Sequence, residues 1–145
     1  MPRLTTVPMG AVFLGVAGLI PFLGFAALSV SGSDAGLGPV GLSPRTILSA
    51  YGAVIASFLG GIRWGAAAAR DAGNADYLIA VVPSLLAWAA LAAPAPWDLR
   101  VLGCLVLLWG VIDQDLTRRG MTPVWMGRLR LVLSGVAGVS LLVAA

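Results

Sequence analysis

Five apolar segments, separated by turn-rich or charged breaks, account for most of the 145-residue chain. They run over about 9–30, 45–70, 76–93, 98–116 and 123–145, each about 17 to 25 residues, the length a helix needs to cross a hydrocarbon core about 30 Å thick. The breaks carry their own signals. The 32–44 stretch, rich in Gly, Ser and Pro, is the longest loop, and Ala93-Pro94-Ala95-Pro96 is a short stiff turn. Ser43-Pro44 reads as a helix start, with Ser at the cap and Pro at the first helical position. The pattern predicts an all-α fold: residues 1–145 form a single integral membrane bundle of five transmembrane helices, without internal repeats.

Composition supports this class. Hydrophobic residues make up 59% and charged residues 10% of the chain, against about 25% charged in soluble domains, and the mean hydropathy is +0.98. All nine cations are Arg and all six acids are Asp, with Lys, Glu and His absent. This reads mainly as the coding bias of a GC-rich genome. The pI near 10 raises nucleic-acid binding, but a net charge of +3 spread over short loops acts as a topology determinant instead. With the first residues in the cytoplasm, that side collects Arg3, Arg63, Arg70, Arg118, Arg119, Arg128 and Arg130, seven against the two of Arg45 and Arg100. The bias puts the N-terminus in the cytoplasm and Ala145 on the opposite side. The first segment, preceded by Pro2-Arg3 and followed by the small residues Ala26, Ala27 and Ser29, is longer than a signal-peptide core and is expected to be retained as a span. The single cysteine, Cys104, lies mid-span and is expected to pack as a small hydrophobe.

The second segment is two-faced at about 100° per residue. Ser49, Gly52, Ala53, Ala56, Ser57, Gly60 and Gly61 fall on one half, and Ile47, Leu48, Tyr51, Val54, Ile55, Phe58, Leu59 and Ile62 on the other. In lipid, helices associate by close packing, so the small half faces neighbouring helices and the bulky half faces lipid. Gly52, Ala56 and Gly60 form one packing stripe, and Gly61 with Gly65 offers a second, suited to packing within the bundle or to a homodimer. Arg63 falls at the edge of the small face, about 10 Å inside the helix end. A guanidinium at that depth must pair, reach headgroups beside Trp64, or serve a function.

Charges on two other segments reach a comparable level. From Leu99, the fourth segment is only about 22 Å long at Asp113, and Leu131 to Ala145 covers a similar length, so Asp113 or Asp115 and Arg128 or Arg130 approach the level of Arg63. The expected intramembrane polar cluster is Arg63, Asp113, Arg128 and Arg130, with Asp113 pairing to Arg63 or Arg130 because an unpartnered buried charge is costly. Pro21 and Pro83, in mid-span, are expected helix breaks. Trp64, Trp88, Trp97, Trp109 and Trp125 suit interfacial belts, and Arg118 and Arg119 can meet anionic lipid headgroups.

The missing residue types exclude a His-Glu metal motif, a haem-ligating His, a Ser-His-Asp triad and a Lys-bearing phosphate loop, and one Cys cannot build a thiolate cluster within the chain. No catalytic, metal-binding or cofactor-binding residue is expected. In this order, Pro21-Phe22, Tyr51-Gly52, Ser57-Phe58-Leu59-Gly60-Gly61-Ile62-Arg63-Trp64-Gly65, Pro83-Ser84-Leu85 with Trp88, Asp113 and Arg128-Leu129-Arg130 resemble the transmembrane-protein-69-like family of small polytopic proteins from bacterial inner membranes and mitochondria. Met126 stands where the resemblance leads one to expect tyrosine. The resemblance implies a multi-pass protein of a bioenergetic membrane, here the bacterial inner membrane, and supplies no catalytic residues. The expected function is that of a non-catalytic accessory or assembly subunit, with lipids and another integral membrane protein as partners. The alternative is a small carrier or channel using the small-residue face and Arg63. The topology is tested by fusing to Ala145 a reporter that fluoresces only in the cytoplasm: it is expected to stay dark, and a bright signal refutes the orientation.

Overall fold

The computed structural model describes residues 7–32, 36–37, 39 and 41–145. Arg3, counted in the charge balance above, and part of the 32–44 loop lie outside the described residues. Among the described residues seven helices follow in order: α1 Met9–Ala17, α2 Ile20–Val30, α3 Pro44–Ala69, α4 Asn74–Leu91, α5 Trp97–Ile112, α6 Gln114–Arg118 and α7 Val124–Val143. They form a helical bundle. α3 packs along α4, α5 packs along α7, α2 lies on both α3 and α7, and α3 also meets α5.

Local chemistry sets the helix limits. Ser43 caps α3, its hydroxyl accepting from the Thr46 N–H at 3.1 Å, and Pro44 occupies the first turn, where its missing N–H costs no helical bond. The first apolar segment is interrupted at Gly18 and Leu19, with Pro21 in the first turn of α2. The Tyr51 hydroxyl donates to the Gly18 carbonyl at 2.9 Å, and its ring lies 4.9 Å from that of Phe22. Pro83 behaves differently from the expected break, because α4 continues through it.

Among the described residues four stretches are long and apolar enough to cross a membrane: Met9–Val30, Pro44–Ala69, Asn74–Leu91 and Val124–Val143. This corrects the expected count of five by length and composition. The fourth apolar segment divides at Asp113 into the 16-residue α5 and the five-residue α6, and α5 alone reaches about 24 Å.

The small residues of α3 divide between inside and outside. Gly52, Ala56 and Gly60 are buried, whereas Gly61 and Gly65 are exposed. A Cβ on Gly60 would collide with the Ala80 carbonyl and lie 2.9 Å from Pro83 Cγ. Gly60 and Pro83 thus form one close α3–α4 contact. Gly103 and Gly138 play the same part between α5 and α7, each placing its would-be Cβ 3.0 Å from the other's carbonyl oxygen. The bulky half of α3 is not uniformly lipid-facing: Leu48 and Leu59 are buried because several helices surround α3, while Val54 and Phe58 are exposed. Cys104 is exposed on α5 and does not join the core. Trp109 is buried, unlike Trp64, Trp88 and Trp97.

Gly60→Ala is expected to lower stability by about 1–3 kcal/mol through overpacking, as measured by unfolding in mixed micelles. Gly61→Ala, whose Cβ meets nothing within 4 Å, should stay within about 1 kcal/mol of the parent. Equal effects would contradict the close α3–α4 contact.

Candidate functional site

Three aspartates and three arginines from different parts of the chain meet at one end of the bundle. α3 brings Arg63, six residues before its last residue, Ala69, and the short 70–73 connection returns the chain into α4, whose first turn carries Asp76. The α5–α6 junction supplies Asp113 as the C-cap of α5, followed by Asp115 on α6. Arg119 caps α6, and Arg130 comes from α7. Gln114 fixes this corner by donating to the carbonyls of Gly110 at 3.0 Å and Gly127 at 2.9 Å, so the end of α5 is stitched to the start of α7.

The charges alternate along a continuous chain. Arg130 Nη2 contacts Asp113 Oδ2, and Arg63 Nη1 lies 3.4 Å from Asp113 Oδ1. Arg63 Nη2 donates to Asp76 Oδ1 at 2.7 Å. Arg119 grips Asp76 with both terminal nitrogens, at 2.9 Å to Oδ1 and 2.8 Å to Oδ2. It also donates to Asp115 at 3.2 Å, and Asp115 approaches Arg63 at 3.6 Å. The shortest links thus tie α3 to α4 and the α5–α6 junction to α7.

Burial is graded across this chain. The Arg63 side chain is 2% exposed, whereas those of Arg119 and Asp115 are 44% and 50% exposed. The three cations balance the three anions, so the group carries no net charge into the bundle. That balance is what burial of a guanidinium demands, since each charge taken from water needs a nearby counter-charge. The hydrogen bonds from Arg119 to Asp76, and then to Asp115, raise its pKa above the ordinary arginine value. Arg119 is therefore a fixed cation, suited to holding a structure together and unsuited to passing a proton.

Of the residues expected in the polar cluster, the structure brings Arg63, Asp113 and Arg130 together. Arg128 is exposed and takes part in no ion pair among the described residues. Arg118 is exposed, while Arg119, expected at headgroups, instead clasps Asp76 and Asp115. Sequence reasoning missed Asp76. Its signal was present: an acid in the first turn of a helix joined to the Arg63 helix by only four residues returns to the level of that arginine.

The opposite end of the bundle has a smaller clasp. Arg45, at the start of α3, contacts Asp98 in the first turn of α5 and donates to the Ala144 carbonyl at 2.9 Å, just beyond α7. The two clasps are eighteen residues apart on α3, about 27 Å.

If Arg63 is the hub, Arg63→Met should lower stability by about 3–5 kcal/mol because Asp76 and Asp113 lose their shared cation. Combining it with Asp76→Leu should cost clearly less than the sum of the two single changes. The half-exposed Asp115→Asn should cost about 1 kcal/mol or less. Unfolding in mixed micelles measures all four proteins, and strict additivity would contradict the Arg63–Asp76 pair.

Comparison with known proteins matches residues 7–145 to the family described as protein of unknown function DUF3429. The chain is 34% identical to transmembrane protein 69 of Xenopus tropicalis over 95% of its own length and 54% of that protein. It is 29% identical to transmembrane protein 69 of Mus musculus, over 94% of its own length and 55% of that protein. It spans about half the length of these relatives. No solved structure matches the chain. The family match along nearly the whole chain, together with apolar helices of membrane-spanning length, identifies it as a multi-pass membrane protein belonging to the transmembrane-protein-69-like DUF3429 family.

Proposed function

We propose that the protein is a non-catalytic accessory or assembly subunit that packs against another integral membrane protein of a larger bioenergetic complex. The observation that carries this reading is the outer face of α3. Ser57, Gly61 and Gly65 recur there at four-residue spacing and are all exposed, and a Cβ at either glycine meets nothing within 4 Å. Such a stripe lets a second helix backbone approach closely, which is how helices gain packing energy in lipid. Phe58 and Trp64, both exposed on this helix, supply bulky flanks to the contact.

The charge group supports an accessory role over a carrier. A path that used Arg63 would need its guanidinium to meet water or solute, whereas Arg63 is buried and engaged by three carboxylates. In this reading the cluster shapes the bundle and the small-residue face meets the partner.

α5 begins at the Arg45 clasp through Asp98 and ends at the Arg63 cluster through Asp113, so its two ends lie level with the two ends of α3. The Arg63 end, which also carries Arg70, Arg118 and Arg128, then faces the cytoplasm under the positive-inside rule. The home in this proposal is a bioenergetic membrane, and its assignment to the bacterial inner membrane rests on the family resemblance alone.

Extraction of native membranes in gentle detergent, followed by native electrophoresis, tests the proposal. The parent should migrate in an assembly larger than itself, and Gly61→Leu should migrate as a free subunit while unfolding at an unchanged temperature. Recovery of the parent as a bare monomer under gentle conditions contradicts the proposal. An assembly of twice its mass would identify a homodimer in place of a foreign partner.

A further inference from the structure

Two turns of the chain at the Arg63 end of the bundle border an open cavity of about 290 Å³, lined by Arg70 and Ala72 after α3 and by Arg119, Gly120 and Met121 after α6. Each turn leaves its helix through a residue with positive φ, Asp71 at 52° and Gly120 at 70°. The N–H groups of Arg70 and Ala72 return to the Ala67 carbonyl at 3.2 and 3.0 Å, and those of Arg119, Gly120 and Met121 to Asp115, Thr117 and Leu116 at 2.9, 3.1 and 2.8 Å. Helix capping thus uses every backbone N–H of the lining. The donors left to the cavity are its two guanidinium groups.

Both guanidiniums have capacity to spare. Arg70 is exposed and takes part in no ion pair among the described residues. Arg119 makes three hydrogen bonds to Asp76 and Asp115, and a guanidinium has five N–H groups, so two are left without an acceptor in a side chain that is 44% exposed. The three arginines and three aspartates of the cluster already cancel, and Arg70 therefore gives the cavity an uncompensated positive charge. Asp71, its neighbour in the chain, does not line the cavity. The 26 residues of α3 reach about 39 Å, longer than a hydrocarbon core of about 30 Å and close to the roughly 40–45 Å that includes the headgroups. Arg70, just past the end of α3, thus stands at the level of lipid phosphates.

We propose that this cavity binds the phosphate of an anionic phospholipid headgroup, held by Arg70 and by the N–H groups of Arg119 that its clasp on Asp76 and Asp115 leaves open. Guanidinium groups match phosphate oxygens in charge and in fork geometry. The height of Arg70 favours a lipid over a soluble phosphate, and its uncompensated charge favours an anionic headgroup over a zwitterionic one. Arg119 then joins the buried charge chain to the lipid surface, whereas Arg118 and Arg128, exposed at the same end, are not part of the lining. None of the lining residues belongs to the Ser57, Gly61 and Gly65 face used by the proposed partner, so the site does not rest on that proposal.

Native mass spectrometry of the full chain, released from detergent, tests the site by titrating phosphatidylglycerol and phosphatidylcholine with the same acyl chains, with inorganic phosphate as competitor. Phosphatidylglycerol should bind at least about tenfold more tightly than phosphatidylcholine. Arg70→Gln should weaken phosphatidylglycerol binding about tenfold, as expected for lost hydrogen bonds from a charged donor. Ala72→Phe, which narrows the cavity and changes no charge, should weaken it by a similar factor. Arg70 and Ala72 lie outside the buried core, so both variants should unfold at the temperature of the parent. Arg128→Gln, the same charge change at the same end of the bundle, should alter binding by less than about threefold, because exposed charges are screened. Equal binding of the two lipids overturns the anionic assignment. Equal losses from Arg70→Gln and Arg128→Gln, or binding unaffected by Ala72→Phe, overturn the cavity as the site. Displacement of phosphatidylglycerol by inorganic phosphate at equal concentration assigns the cavity to a soluble phosphate and overturns the lipid.

Discussion

Burying the Arg63 guanidinium within an apolar bundle imposes a constraint that several helices must satisfy together. A cation at such a depth is costly unless carboxylates surround it, and its counter-charges come from Asp76 on α4, Asp113 at the end of α5 and Asp115 on α6. Those aspartates need cations in turn, supplied by Arg119 and by Arg130 on α7. Each added charge repairs the imbalance left by the one before. The outcome is a neutral group that fixes the relative height of five helices, because a displacement by one helical turn, about 5.4 Å, would break its contacts.

Close backbone contacts supply the sideways fit that the charges cannot. Gly60 against Ala80 and Pro83 brings α3 onto α4, and Gly103 against Gly138 brings α5 onto α7. Dispersion between closely approaching surfaces is the main attraction available between helices in lipid, so missing side chains are as informative here as those present. The Arg45–Asp98 contact at the far end aligns α3 and α5 a second time. Two clasps with glycine seams between them leave the outer faces of the bundle exposed.

Much of this was legible in the sequence. Hydropathy and turn residues located the apolar segments, Ser43-Pro44 marked the start of α3, and the helical wheel put Gly52, Ala56 and Gly60 on one packing side. Depth arithmetic brought Arg63, Asp113 and Arg130 to one level. It could not give the rotation of α4 about its own axis, which decides whether Asp76 faces Arg63 or lipid. Nor could one helix's pattern show that Leu48 and Leu59 would be covered by surrounding helices, or that Arg119, rather than Arg128, would pair with Asp76. Those outcomes depend on the positions of neighbouring backbones. Pro83 illustrates the same limit, since its meaning as a packing partner of Gly60 exists only once two helices are side by side.

The central claim is that the charges serve structure, holding helices whose outer faces are proposed to meet a partner. Its most direct test replaces the buried charges together, with Arg63→Met, Asp76→Leu, Asp113→Leu and Arg130→Met in one protein, and measures both unfolding stability and entry into the native assembly. Apolar residues can replace a buried ion network at little cost or with a gain. The account predicts a folded protein within about 2 kcal/mol of the parent that still enters its assembly. A variant that folds with this stability yet remains outside the assembly would contradict the account, because the charges themselves would then be needed for function.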